Sequence, residues 1–108
     1  MKSRINTVNE SLILFDNGAT ITFDHSTDCC EWNYADFESI DQEALSYDFD
    51  MEHLTFEACE DGFRFGDHPA RMFFVPCYSE QNGYYSADID IYLNGENVLT
   101  TECEEILD

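Results

Sequence analysis

The sequence predicts a mainly β fold, all-β or α+β, with an antiparallel sheet of about six to eight strands and at most one or two short helices. Three observations carry this. Apolar and polar residues alternate with period two over most of the chain, the pattern of half-buried strands. Asn-Gly pairs at 17–18, 82–83 and 94–95, and Asp-Gly at 61–62, fall between β-prone runs, and such pairs are strong hairpin signals. Only residues 38–45 carry a helical spacing.

The first hairpin joins residues 11–15 (SLILF) to 19–23 (ATITF) through Asp16-Asn17-Gly18. In its second arm Ala19, Ile21 and Phe23 share one face and Thr20 and Thr22 the other, so one side packs and the other meets water. Residues 30–34 alternate again, with Cys30, Trp32 and Tyr34 on one side and Glu31 and Asn33 on the other. At 38–45, Ser39 is placed to cap a short helical turn in which Ile40, Ala44 and Leu45 share a face opposite Asp41 and Glu43.

Beyond that turn, Tyr47, Phe49 and Met51 alternate with Asp48, Asp50 and Glu52, and then Leu54, Phe56 and Ala58 alternate with Thr55 and Glu57. The phase slips at His53, which predicts a bulge or turn there. Asp61-Gly62 turns the chain into a short strand at 63–65, and 66–69 form a loop. The apolar run Met72-Phe73-Phe74-Val75 predicts a strand covered on both faces, with Pro76 at an edge or bulge because proline has no N–H to donate. After Gln81-Asn82-Gly83, Tyr85, Ala87, Ile89, Ile91 and Leu93 face one way and Tyr84, Ser86, Asp88, Asp90 and Tyr92 the other. Asn94-Gly95 returns the chain along 98–103, and residues 104–108 are expected to form a frayed tail. With 108 residues and no repeat, linker or low-complexity segment, residues 1–108 read as a single acidic domain.

Charge bounds the function. Four Lys and Arg face 24 Asp and Glu, for a formal net charge of −20. Direct nucleic-acid binding needs cations to replace the counterions of the phosphates, so neither nucleic acid nor an anionic membrane surface is an expected partner. Disorder is also disfavoured, because 44% of the residues are hydrophobic and 15% aromatic, enough to fill a core. The first ten residues are polar, and the earliest apolar run, 12–15, is shorter than a signal-peptide core or a membrane span. A cytoplasmic location is expected. The five cysteines lack the regular spacing of a disulfide framework and read as reduced thiols, mostly buried.

The segment His25-Ser26-Thr27-Asp28-Cys29-Cys30-Glu31, with Phe74-Val75-Pro76-Cys77-Tyr78 and Gln81-Asn82-Gly83-Tyr84-Tyr85-Ser86, resembles a group of small proteins encoded by phages and prophages. In that group an H-x-x-D-C-C-E segment follows a strand and an N-G-Y-Y-S hairpin lies near the C-terminus. The resemblance spans roughly residues 11 to 93 and brings no catalytic or binding residue with it. It implies a bacterial host cytosol, a setting rich in small acidic inhibitors of host defence and DNA-binding proteins.

Within the chain, no Lys or Arg occurs from Ile5 to Phe63, a stretch with fifteen acids, or after Arg71, where eight more lie. Their mutual repulsion opposes folding. Alternate residues on a strand face stand about 6.6–6.8 Å apart, so Asp48, Asp50 and Glu52, or Asp88 and Asp90, could form carboxylate rows spaced on the order of nucleic-acid phosphates. The bland alternative is a set of solvated strand faces that aid solubility. His25, Cys29 and Cys30 suggest zinc, with Cys59, Cys77, Cys103, His53 or His68 as distant fourth ligands. However, no C-x-x-C pair is present, and adjacent strand cysteines point to opposite faces. No EF-hand loop, phosphate-cradling Gly loop, G-x-S-x-G or H-E-x-x-H is present. No metal, cofactor or catalytic residue is therefore assigned.

The expectation is a non-enzymatic, phage-type acidic protein that inhibits a basic, nucleic-acid-binding host protein, such as a defence nuclease, by nucleic-acid mimicry. Its partner-binding residues are Asp36, Asp41, Glu43, Asp48, Asp50, Glu52, Asp88 and Asp90, with Tyr92 as an anchor. The alternative is a structural or assembly accessory protein, a homo-oligomer whose acidity only keeps it soluble.

Overall fold

The computed structural model describes residues 2–24, 32–81 and 88–107. Along the chain, β1 (Lys2–Ser3) and β2 (Ile5–Val8) precede the hairpin of β3 (Leu12–Phe15) and β4 (Thr20–Asp24). β5 (Trp32–Ala35) leads into two 3-10 turns, Phe37–Ser39 and Gln42–Ser46, and β6 (Phe49–Asp50) into a third, Met51–His53. Then come β7 (Thr55–Cys59), β8 (Gly62–Gly66), β9 (Met72–Gln81), β10 (Asp88–Leu93), β11 (Glu96–Glu102) and β12 (Glu104–Leu107).

These strands make three sheets. One is five-stranded and antiparallel, in the order β11-β10-β4-β3-β2. The second runs β12-β9-β8-β7, with β5 also paired to β9. The third is the short β1-β6 pair. The fold is mainly β as predicted, but among the described residues there are twelve strands rather than six to eight, and three short 3-10 turns where at most one or two short helices were expected. Several of the additional strands, among them β1, β6 and β12, are two to four residues long. Backbone pairing holds such pieces, and they are too short for side-chain alternation to reveal them.

The Asn-Gly turns at 17–18 and 94–95 fold as expected, with Gly18, Asn94 and Gly95 at positive φ, as tight hairpins require. The expected Asp61-Gly62 turn instead lies one residue earlier, at Glu60-Asp61, with Asp61 at positive φ and Gly62 already in β8 opposite Cys59. The turn at 82–83 lies outside the described residues. The phase slip at His53 is the third 3-10 turn, which separates β6 from β7. The predicted helix at 38–45 divides into the first two 3-10 turns. Ile40 and Ala44 are buried as expected, whereas Leu45 is exposed. Asp41, rather than Ser39, caps the second turn by accepting the Glu43 amide; Ser39 instead donates its hydroxyl to Asp36 at 2.6 Å.

One hydrophobic core joins the sheets. Ile13, Phe15, Ile21, Ile89 and Ile91 enter it from the first and Phe63, Phe65, Phe73, Val75 and Cys77 from the second. Phe37, Ile40, Ala44 and Phe49 come from the connecting segment. Phe49 sits at the junction, its ring centroid 5.7 Å from Phe15, 5.5 Å from Phe65 and 5.5 Å from Phe73. Aromatic pairs at these separations add to the area they bury.

Four further expectations change. β9 is covered on one face only: Phe73 and Val75 are buried, but Phe74 between them is 43% exposed. Asn33, on the polar side of its alternation, is fully buried. Residues 104–107, expected to fray, form β12 and pair in parallel with β9. Pro76, expected at an edge or bulge, lies instead inside β9 opposite Gly62 of β8, just beyond the end of β5, and its carbonyl accepts the Asp36 amide at 2.8 Å.

Candidate functional site: an acidic sheet face

In β10, Ile89 and Ile91 are buried, and the strand's alternation turns Asp88, Asp90 and Tyr92 to the opposite, outer face. The neighbouring strands bring more acids to that face. Asp90 stands opposite Asp24 of β4, and Asp88 opposite Glu102 of β11. Directly opposed side chains on antiparallel strands lie about 4.5–5.5 Å apart, and like charges in that register destabilise the sheet. Four carboxylates, Asp24, Asp88, Asp90 and Glu102, thus occupy one surface in two like-charge pairs. Thr100, across from Asp90 on the β11 side, donates its hydroxyl to the Asp90 carboxylate at 2.5 Å. Tyr92 lies half-buried at the other end of the strand, between Thr22 and Asn97.

Beside this face is a concavity of about 580 Å³ lined by Ala58, Cys59, Glu60, Asp88, Thr100, Thr101 and Glu102. Glu60, on the turn between β7 and β8, adds a fifth carboxylate next to Asp88 and Glu102. All four Lys and Arg lie on other parts of the fold. Lys2 is in β1, Arg4 pairs with Asp48, Arg64 pairs with Glu57, and Arg71 lies 5.5 Å above the Tyr47 ring.

The other predicted acids do not join this face. Asp48, Asp50 and Glu52 form no carboxylate row, because the chain leaves β6 for a 3-10 turn at Met51. Asp48 accepts from Arg4 Nε at 2.6 Å, which holds its carboxyl below, and the Arg4 guanidinium above, the ordinary value. Asp50 bonds His53 Nδ1 at 2.8 Å and takes the Glu52 amide at 3.3 Å; the His53 contact is the main reason its carboxyl lies below the ordinary range. Asp36 and Asp41 hold 3-10 turns, and Glu43 is exposed on the second of them. Asp36 also lines a second concavity of about 580 Å³, with Glu10, Ser11, Phe23, Tyr34, Ala35 and Glu38. There the Tyr34 phenol is pushed above its usual value by burial and then by Glu80 and Asp36.

Sequence reading missed Asp24, Glu60 and Glu102. Asp24 continues the Thr20, Thr22 alternation and was legible in that pattern, but its pairing with Asp90 depends on a strand order that joins distant segments. Asp67 was also missed. It receives the Tyr47 hydroxyl at 2.7 Å and the Asp50 amide at 2.6 Å, tying the loop after β8 to β6, and its bond to Tyr47 pushes that phenol up. Among the described residues no group of three or more His, Cys, Asp or Glu is placed to hold a metal ion. His25, Cys29 and Cys30 lie outside those residues. No described helix is long and apolar enough to cross a membrane. Comparison with protein-family models, with curated proteins and with solved structures finds no match.

Proposed function

We propose that this chain is a phage-type acidic binding protein that inhibits a basic, nucleic-acid-binding host protein by offering carboxylates where phosphates would sit. The observation that supports this reading is the outer face of β4, β10 and β11, where Asp24 opposes Asp90 and Asp88 opposes Glu102. Opposed like charges cost stability, and a cationic partner would relieve that cost on binding. Asp88 and Asp90 follow one another at the strand repeat of about 6.6–6.8 Å, and their neighbours widen the row into a negative surface. A partner surface rich in Arg and Lys would be steered to it, with association falling as salt rises. No group in this reading performs catalysis.

The test is a pull-down from bacterial lysate over a salt gradient, with the parent chain and the double variant Asp88→Lys, Asp90→Lys. The parent should capture basic proteins, release them as salt rises, and lose them to added double-stranded DNA. The variant should keep its circular dichroism spectrum and lose the capture. Undiminished capture by the variant, or capture that DNA does not displace, overturns the mimicry. Partners retained at high salt, or self-association of the chain alone, would instead favour an assembly accessory protein.

A further inference from the structure

Cys77 immediately precedes Tyr78 on β9, and Cys103 immediately precedes Glu104 on β12. The two strands pair in parallel from Tyr78 opposite Glu104 onward, and the cysteines are the residues that immediately precede this first pair. Paired strands lie about 4.7–4.9 Å apart, within the roughly 4.4–6.8 Å between Cα atoms that a disulfide spans. Both residues are core members, at 0% and 5% exposure, and both are free thiols. The neighbouring Cys103 thiol, together with burial, pushes the Cys77 thiol up. Cys103 is also the residue at which the chain passes from β11 in the first sheet to β12 in the second.

We propose that Cys77 and Cys103 are a site of reversible disulfide formation, oxidised by a low-molecular-weight disulfide such as oxidised glutathione. The less enclosed Cys103, as thiolate, attacks one sulfur of oxidised glutathione, forming a mixed disulfide and releasing one glutathione thiolate. Cys77 then gives up its proton and attacks the Cys103 sulfur, expelling the second glutathione. Two protein thiols become one disulfide, and their two electrons and two protons leave on two reduced glutathione molecules. Because both sulfurs are enclosed, β12 must lift before the first attack, which makes the reaction slow in the native protein. The bond would cross-link the corner between the sheets and close a loop that carries β10 and β11. This site is independent of the proposed binding function.

The experiment incubates the folded chain in glutathione redox buffers, alkylates the remaining thiols and maps peptides by mass spectrometry. The expected product is a peptide pair joined through Cys77 and Cys103, lighter by two hydrogens and separated again by dithiothreitol. The thermal midpoint should rise on the order of 10 °C with oxidation, and Cys103→Ser should abolish that rise. Half-exposed Cys59 monitors oxidant access by acquiring glutathione. Recovery of Cys77 and Cys103 as alkylated thiols while Cys59 carries glutathione overturns the proposal, as does pairing of either with another cysteine. Mapping of the parent chain decides the matter even if the variant fails to fold.

Discussion

Asn33 and Thr101 are buried polar residues that bridge the two five-stranded sheets. Asn33 of β5 donates to the Asp88 carbonyl of β10 at 2.9 Å and accepts the Ser79 hydroxyl. Thr101 of β11 donates to the Gly62 carbonyl at 2.6 Å, with the Cys59 carbonyl at 3.3 Å. Replacing Thr101 with Val keeps its shape but removes the hydroxyl bond to Gly62, so urea denaturation should show a loss of about 0.5–1.5 kcal/mol. Gly62 itself is fixed by proximity: a Cβ there would lie 2.3 Å from the Val75 carbonyl oxygen and 2.8 Å from the Phe74 ring. Gly62→Ala should therefore cost about 1–3 kcal/mol or more by the same measurement. Neither constraint is legible in the sequence. Alternation assigns Asn33 a side of its strand, but which sides are covered depends on β9 and β10 lying close by.

At the scale of elements, the hairpins at 17–18 and 94–95 were legible because Asn-Gly states its turn type locally. The segment from Tyr47 to His53 was not, because its alternating acids serve as caps and braces. Asp48 and Asp50 both hold their carboxyls below the ordinary value when folded. In the acid range the folded chain thus binds fewer protons at these positions than the unfolded one, so stability rises with pH there. Their contribution is present above the unfolded aspartate pKa of about 3.9 and is lost as pH falls through the depressed folded values. Arg4→Ala should return Asp48 towards the ordinary value, and His53→Ala should do so for Asp50. Carbon-detected NMR titration of the carboxyls reads each separately, and an unmoved midpoint would refute the assigned cause.

Across the whole molecule, a net charge of −20 is spread over a body 43 × 24 × 20 Å. At physiological ionic strength charges separated by more than about 8 Å are largely screened, whereas the Asp24–Asp90 and Asp88–Glu102 pairs are closer than that. The thermal midpoint should rise from low to high sodium chloride, the reverse of the salt effect on partner capture. Asp90→Asn retains an acceptor for Thr100 and removes one like-charge contact. It should stabilise the fold by about 0.2–1 kcal/mol in denaturant melts while weakening capture of basic proteins. A variant that gains no stability would show that the opposed carboxylates are not strained. Composition made this charge legible, but the facing of Asp24 with Asp90 and of Asp88 with Glu102 emerges only when β4, β10 and β11 are aligned.

The parallel pairing of β12 with β9 also bears on how the chain behaves if shortened. The last strand covers backbone groups along residues 78–81. Trimming the chain after Glu102 would bare that margin, and a bare strand margin is a template for another chain. Such a truncated protein should migrate as dimers or larger species in size-exclusion chromatography. The short, acidic β12, itself at the edge of its sheet, would then act as a stopper against edge-to-edge growth.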